Sequence, residues 1–190
     1  MTILTASPLI KLYSLEEFWE LPEPEDHSKL ELIAGVLYMT PPPGYTHDNI
    51  VSRLNFFLAR YLFENKTKGS LYVPRAAIWT SPNTYLEPDL FYVSAELEAK
   101  MDPKYRTSAD LVIEVISPGS SIYDKHAKAD TYAALGVKEL WLIDETSKTV
   151  EVRQNTGSVF GLCSSFRGEE TLQSSVFPHL NFLVKSLFQD

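Results

Sequence analysis

Cysteine is almost absent. The 190-residue chain has one, Cys163, so no disulfide can form within it and a cysteine-rich zinc site is excluded. No pair of its four histidines has metal-ligand spacing, which argues against a histidine-based zinc centre. Long apolar runs are missing too. No stretch approaches the roughly 18 residues of a membrane span, and no basic segment leads into an apolar one near residue 1, as a secretory signal requires. The chain therefore reads as cytoplasmic, with no membrane partner. It also lacks a Walker loop and a dinucleotide glycine fingerprint, and the Gly-x-Ser-x-Gly of α/β-hydrolases.

Net positive charge is lacking as well. The formal charge is -8 and the pI about 5.0. A protein that coats nucleic acid nonspecifically must neutralise phosphates with Lys and Arg, so that role is disfavoured. A nuclease is not, because its acids can hold the cations that meet the phosphate. The same surplus also serves solubility.

What is present is enough for a core. Hydrophobic residues make up 44% and aromatic residues 12%, which rules out a disordered chain. No repeat or linker divides the sequence, so we read residues 1–190 as one domain with a loose arm at 1–12.

Ser14 and Glu17 fit a capping box opening a short helix that Pro22 and Pro24 end. Leu30–Met39 reads as a hairpin turning at Ala34-Gly35. After Pro41-Pro42-Pro43-Gly44, the spacing of Ile50, Leu54, Phe57, Leu58 and Tyr61 predicts a helix over 47–63, with Asp48 or Asn49 near its start. Leu71–Thr80 is β-like but broken by Pro74. Strands are predicted at Pro88–Val93 and Leu111–Ile116, then a helix over 121–135 stopped by Gly136. A second hairpin, Lys138–Ile143 with Lys148–Arg153, and a strand at Val159–Phe166 follow. The tail from Val176 to Phe188 is ambiguous. The order implies an α/β (α+β) fold, a mixed β-sheet flanked by helices.

Three places carry chemistry. Asp89 stands at the start of an apolar strand, behind Pro88, which fixes the backbone and donates no ladder hydrogen bond. Glu114 sits inside Leu111-Val112-Ile113-Glu114-Val115-Ile116, where an unpaired carboxylate is costly to bury. A structural ion pair or an outward-facing Glu would explain it blandly; a metal ion would explain it functionally. Asp124, Lys128 and Tyr132 recur at intervals of four and share one helical stripe, although Asp124 with Lys128 alone could be an ordinary surface pair. Lys125 lies about 300° around the same helix from Lys128. Two carboxylates on consecutive strands suit Mg²⁺ or Mn²⁺, and a nearby Lys can offset charge on a phosphoryl transition state. Without metal, the two acids are expected to repel.

Together these residues resemble a family. Pro88-Asp89, then Glu114 within Ile-Glu-Val, then Ser117-Pro118, resembles the PD-(D/E)XK motif of restriction-endonuclease-like proteins. The wider string is similar to the bacterial Uma-type family of endonucleases, long grouped as a domain of unknown function. It runs through Glu31-Leu-Ile-Ala-Gly35, Pro41 with His47, Pro88-Asp89-Leu90, Val112–Pro118, Asp124 with Lys128 and Tyr132, and Gly136–Asp144. The resemblance implies a restriction-endonuclease-like fold and a Mg²⁺- or Mn²⁺-dependent endonuclease acting on nucleic acid, expected to be DNA. It implies Asp89, Glu114 and Lys128 as catalytic residues, with Asp89, Glu114 and the Val115 backbone carbonyl on the metal. Glu31, His47, Asp124 and Tyr132 would support them. The superfamily lysine would fall at Ile116; here it falls on the next helix, at Lys128. Cleaving both strands of a duplex uses two active sites, so a homodimer is expected for such a substrate. The competing readings are a module of the same fold that binds nucleic acid or protein without turnover, and a glycosidase using paired acids, which would give Lys128 no role.

Overall fold

A computed structural model describes residues 10–117 and 124–189. Ten strands among them form two sheets.

The first is small, ordered β2-β1-β5-β4. Strands β1 (Lys29–Ile33) and β2 (Val36–Thr40) make the predicted hairpin. Ala34 and Gly35 both have positive φ, 48° and 84°, as a two-residue type I′ turn demands. The short strands β4 (Ile78–Thr80) and β5 (Thr84–Leu86) complete the sheet. The helix α1 (Leu15–Trp19), with both bonds of its capping box made, lays Leu15 and Phe18 on it.

The second sheet has six strands, ordered β10-β9-β8-β7-β6-β3. They are β3 (Gly69–Tyr72), β6 (Leu90–Ser94), β7 (Leu111–Ile116), β8 (Glu139–Asp144), β9 (Thr149–Asn155) and β10 (Phe160–Arg167). All pairs are antiparallel except β7 with β8, which is parallel. The four-residue helix α3 (Ala95–Glu98) follows β6. One face of the sheet packs on α2 (Tyr45–Glu64) through Ile50, Leu54 and Leu58, and on Phe177, Phe182 and Leu187 of the tail. Part of that tail, Val184–Leu187, is a 3-10 turn. The opposite face meets the helix α4 (Ala129–Ala134) through Ala129 and Tyr132, and the small sheet through Ile78 and Leu86. Every residue of β7 is buried, because it is sandwiched on both faces.

Several expectations need correction. A single sheet was expected and there are two. The long helix starts two residues earlier than 47, with Gly44 rather than a polar side chain at its cap. The second helix opens as a π turn over Asp124–Lys128, with i→i+5 bonding, before becoming α-helical. Residues 1–9 of the arm, Pro118 and the start of the 121–135 helix lie outside the described residues, as do the side chains of Asp124, Lys125 and Cys163. Among the described residues no helix is long and apolar enough to cross a membrane.

Candidate active site

Strands β6 and β7 bring the two predicted acids together. Their register pairs Leu90 with Ile113, so one step further along, Asp89 faces Glu114. Facing residues in an antiparallel pair have Cβ atoms about 4.5–5.5 Å apart. Asp89 ends the ladder with its own side chain, since the Val115 N–H donates to Asp89 Oδ2 at 2.8 Å. The N–H and C=O of one strand residue point to the same side. The Val115 carbonyl therefore also faces the edge that Asp89 occupies.

Each acid has its own cation, which offsets the repulsion expected between them. His47, in the first turn of α2, sets Nε2 3.1 Å from Asp89 Oδ2. Burial works to raise the Asp89 pKa, but the His47 hydrogen bond and the charges of Lys29, His47 and Lys128 outweigh it and hold it below the ordinary Asp value. For His47, burial works against the charged form, and Asp89 together with Asp48 raises the pKa above the usual His value.

Glu114 is only 2% exposed, and Lys128 1%. Lys128 donates from Nζ to Glu114 Oε1 at 2.9 Å, inside the roughly 6 Å reach for charge coupling. The Tyr132 hydroxyl donates to the same oxygen at 2.6 Å. Burial, then the Glu114 charge, pushes the Tyr132 pKa well above its ordinary value, so Tyr132 remains a donor. The stripe predicted from spacing thus brings Lys128 and Tyr132 to one carboxylate.

Glu31 comes from the other sheet. It is fully buried, not a solvated hairpin residue. Its Oε1 accepts from the Glu87 N–H at 2.8 Å, and its Oε2 lies 3.1 Å from Lys128 Nζ. That second contact is an ion pair without hydrogen-bond alignment, so Oε2 accepts no hydrogen bond. Two residues that sequence reasoning passed over complete the cluster. Lys29 donates to the Glu87 carbonyl at 2.8 Å. Glu87 is buried, which raises its carboxyl pKa, with Tyr85, Arg75 and Lys29 acting in the opposite direction. Their only sequence signal is proximity, two residues before Glu31 and two before Asp89. His126 and His179 are exposed, as expected.

Asp89, Glu114, Val115 and Lys128 line a cavity of about 470 Å³. Among the described residues no group of three or more His, Cys, Asp or Glu is placed to hold a metal. Mg²⁺ does not need one, since it keeps several waters and takes one or two carboxylates. The donor set here is all oxygen, two facing carboxylates and a carbonyl, with Glu31 Oε2 lacking a hydrogen bond nearby. That set fits a hard divalent cation and not a soft one.

Residues 15–185 match the family described as "Uma2: Putative restriction endonuclease". The chain belongs to the Uma2 family. No curated protein matches it. A solved structure described as "a putative nuclease belonging to DUF820 from Anabaena variabilis ATCC 29413" is similar, with a TM-score of 0.73. It is 21% identical, over 93% of this chain and 97% of that one. That likeness shows a shared fold, and this Uma2 chain has the restriction-endonuclease-like architecture expected from its sequence. Uma2 membership and fold together support a nuclease function.

Proposed function

We propose that this Uma2 protein is a divalent-metal-dependent endonuclease that hydrolyses phosphodiester bonds in DNA, and that it works in the cytoplasm. The observation that carries the reading is the pairing of Asp89 with Glu114 on facing strand positions, with the Lys128 ammonium 2.9 Å from Glu114.

Asp89, Glu114 and the Val115 carbonyl would hold Mg²⁺ or Mn²⁺, which supplies Lewis acidity and an acidified water. The chain's own residues do the rest. Lys128 places a positive charge beside the phosphate, where charge builds as a water oxygen bonds to phosphorus and the bond to the departing sugar oxygen breaks. The departing oxygen takes up a proton from the water pool, and the attacking water loses one. Glu31 and Tyr132 fix Lys128 and Glu114 against each other, so neither must reorganise during the step. His47 orients Asp89. Asp124 is proposed as a further support on the strength of the resemblance alone.

A Mg²⁺-dependent cleavage assay tests this. Wild-type protein should cut, while Asp89→Asn and Glu114→Gln should fall to background with the fold retained, because each swap removes charge but little volume. Wild-type rates from either variant would remove that residue from the set of required ligands. A second reading, a non-cleaving module of the same fold, is favoured by the ion pairs that compensate both acids, His47 with Asp89 and Lys128 with Glu114. No Mg²⁺-stimulated cleavage by the wild-type protein would select it.

A further inference from the structure

We infer that the substrate reaches this site as a single strand, a free end or a flap, and not as intact duplex; the inference rests on the nuclease reading above. Three observations carry it.

The first is depth. Asp89 is 8% exposed, Glu114 2% and Lys128 1%. A scissile phosphate cannot meet them at the surface; it must descend into the cavity of about 470 Å³ that they line. That volume belongs to the range of pockets for small ligands, about 300–1,000 Å³. It accepts on the order of one nucleotide with its phosphate. In a duplex the same phosphate stays attached to a stacked base and its paired strand, with grooves about 12 and 6 Å wide, and that bulk remains outside.

The second is the character of the walls. The lining includes the Pro41-Pro42-Pro43 run leading into the first turn of α2, and Val73 and Pro74. Proline has no N–H to give a phosphate and its ring fixes the backbone. These walls are rigid and apolar, suited to the faces of a sugar and an unstacked base between them. A surface made to follow a helical phosphate backbone needs donors instead.

The third is charge. Five acidic residues line the cavity against three basic ones, Lys29, Arg75 and Lys128. Lys128 lies between Glu31 and Glu114 deep inside, which leaves Lys29 and Arg75 nearer the opening. A protein that tracks duplex makes about 6–10 phosphate contacts. This chain, with a net charge of -8, offers two cations at the mouth, enough for the phosphates on either side of the scissile one. A single-strand substrate also removes the reason for a second active site, so the homodimer that duplex cleavage would call for is not required.

The test uses the full chain with Mg²⁺ or Mn²⁺ and labelled oligonucleotides of one sequence: single strand, blunt duplex, and duplex carrying a single-stranded flap. Asp89→Asn prepared in the same way sets the background. We expect the single strand and the flap to be cut at least tenfold faster than blunt duplex. The log of the single-strand affinity should fall with log salt at a slope of about -1 to -2, as two or so contacts on a single strand give. Blunt duplex cut as fast as the single strand, or a slope of about -5 or steeper, would overturn the inference while leaving the nuclease reading intact. If the wild-type protein cuts none of the three, binding of the same oligonucleotides in Ca²⁺ decides. A tenfold preference for the single strand would keep the substrate class and remove the nuclease reading; equal or duplex-favouring affinity would remove both.

Discussion

Two glutamates on neighbouring strands of one sheet are buried to the same degree and compensated in different ways. Glu114 lies on β7 and Glu139 on β8, at 2% and 0% exposure. Glu139 is surrounded by neutral donors. Its Oε1 accepts from Trp141 Nε1 at 2.7 Å and Ser174 Oγ at 2.6 Å; its Oε2 accepts from the Ser175 N–H at 2.8 Å and Ser175 Oγ at 2.6 Å. These bonds tie the tail to the sheet, on the face that packs against α2. Glu114 points to the opposite face, accepts from a lysine and a tyrosine, and borders the cavity. Burial of a carboxylate is therefore not the mark of a functional site. The distinction lies in what compensates the charge: fixed neutral donors satisfy it permanently, whereas a cation beside a cavity leaves it able to take another ligand.

The change that breaks this contrast most severely is Lys128→Met. It strands Glu31 and Glu114 without their shared ammonium, and removing one member of a buried ion pair costs about 3–5 kcal/mol. We expect a large drop in thermal midpoint with loss of cleavage, and a much smaller effect of Lys125→Met on both; a denaturation scan and the cleavage assay read the two effects separately. A midpoint within a degree of wild type would show that the buried pair contributes little.

The direct comparison is Glu114→Gln against Glu139→Gln. The first should abolish cleavage. The second should leave cleavage in place but destabilise the fold by about 1–3 kcal/mol, because the new amide turns its own donors toward groups that are already donors. Denaturant titration of each variant alongside its activity checks the crossing pattern, and a loss of cleavage in both without loss of stability in Glu139→Gln would erase the contrast. Tyr132→Phe is milder. It removes one hydrogen bond to a charged group, about 1.5–3 kcal/mol, and should slow cleavage without abolishing it.

Asp110, just before β7, gives the smallest effect. It is buried and pairs with Lys138 and with the Ser94 N–H. Burial works to raise its pKa, but those partners outweigh burial and hold it below the ordinary Asp value. Its contribution is therefore present above the unfolded pKa, about 3.9, and lost as pH falls through the lower folded value. Lys138 is largely exposed, so the amount is at most about 1 kcal/mol. Asp110→Asn should flatten the acid limb of the stability curve by that much and leave neutral-pH cleavage unchanged.

The contrast between the two glutamates was only half legible in the sequence. Leu111–Ile116 shows its acid in an apolar run, and its observed bounds are those predicted. Glu139 sits at the edge of a similar run, but its donors Ser174 and Ser175 are 35 and 36 residues away, and nothing local announces them. The burial of Glu31 was hidden for a related reason. Lys29-Leu30-Glu31-Leu32 alternates like a half-solvated hairpin, and only the docking of the second sheet buries the acid. The small sheet that carries Glu31 escaped notice as a separate sheet because β4 and β5 are three residues each, too short for an alternating pattern to register. The helical stripe of Lys128 and Tyr132 was readable because both partners of Glu114 lie on one element; the pairing of His47 with Asp89, 42 positions apart, was not.

Lys128 bridges Glu31 on the small sheet and Glu114 on the large one. That single ammonium has a consequence for biosynthesis. Glu31, His47, Asp89, Glu114 and Lys128 come from five separated points of the chain, the last of them at 128, and Glu31 and Glu114 come from different sheets. A ribosome-bound fragment that ends before residue 128 carries both acids but not the cation that joins the halves. The centre proposed above therefore cannot assemble on a nascent chain until Lys128 has emerged, so the cleavage we assign to it waits on the contact that joins the two sheets.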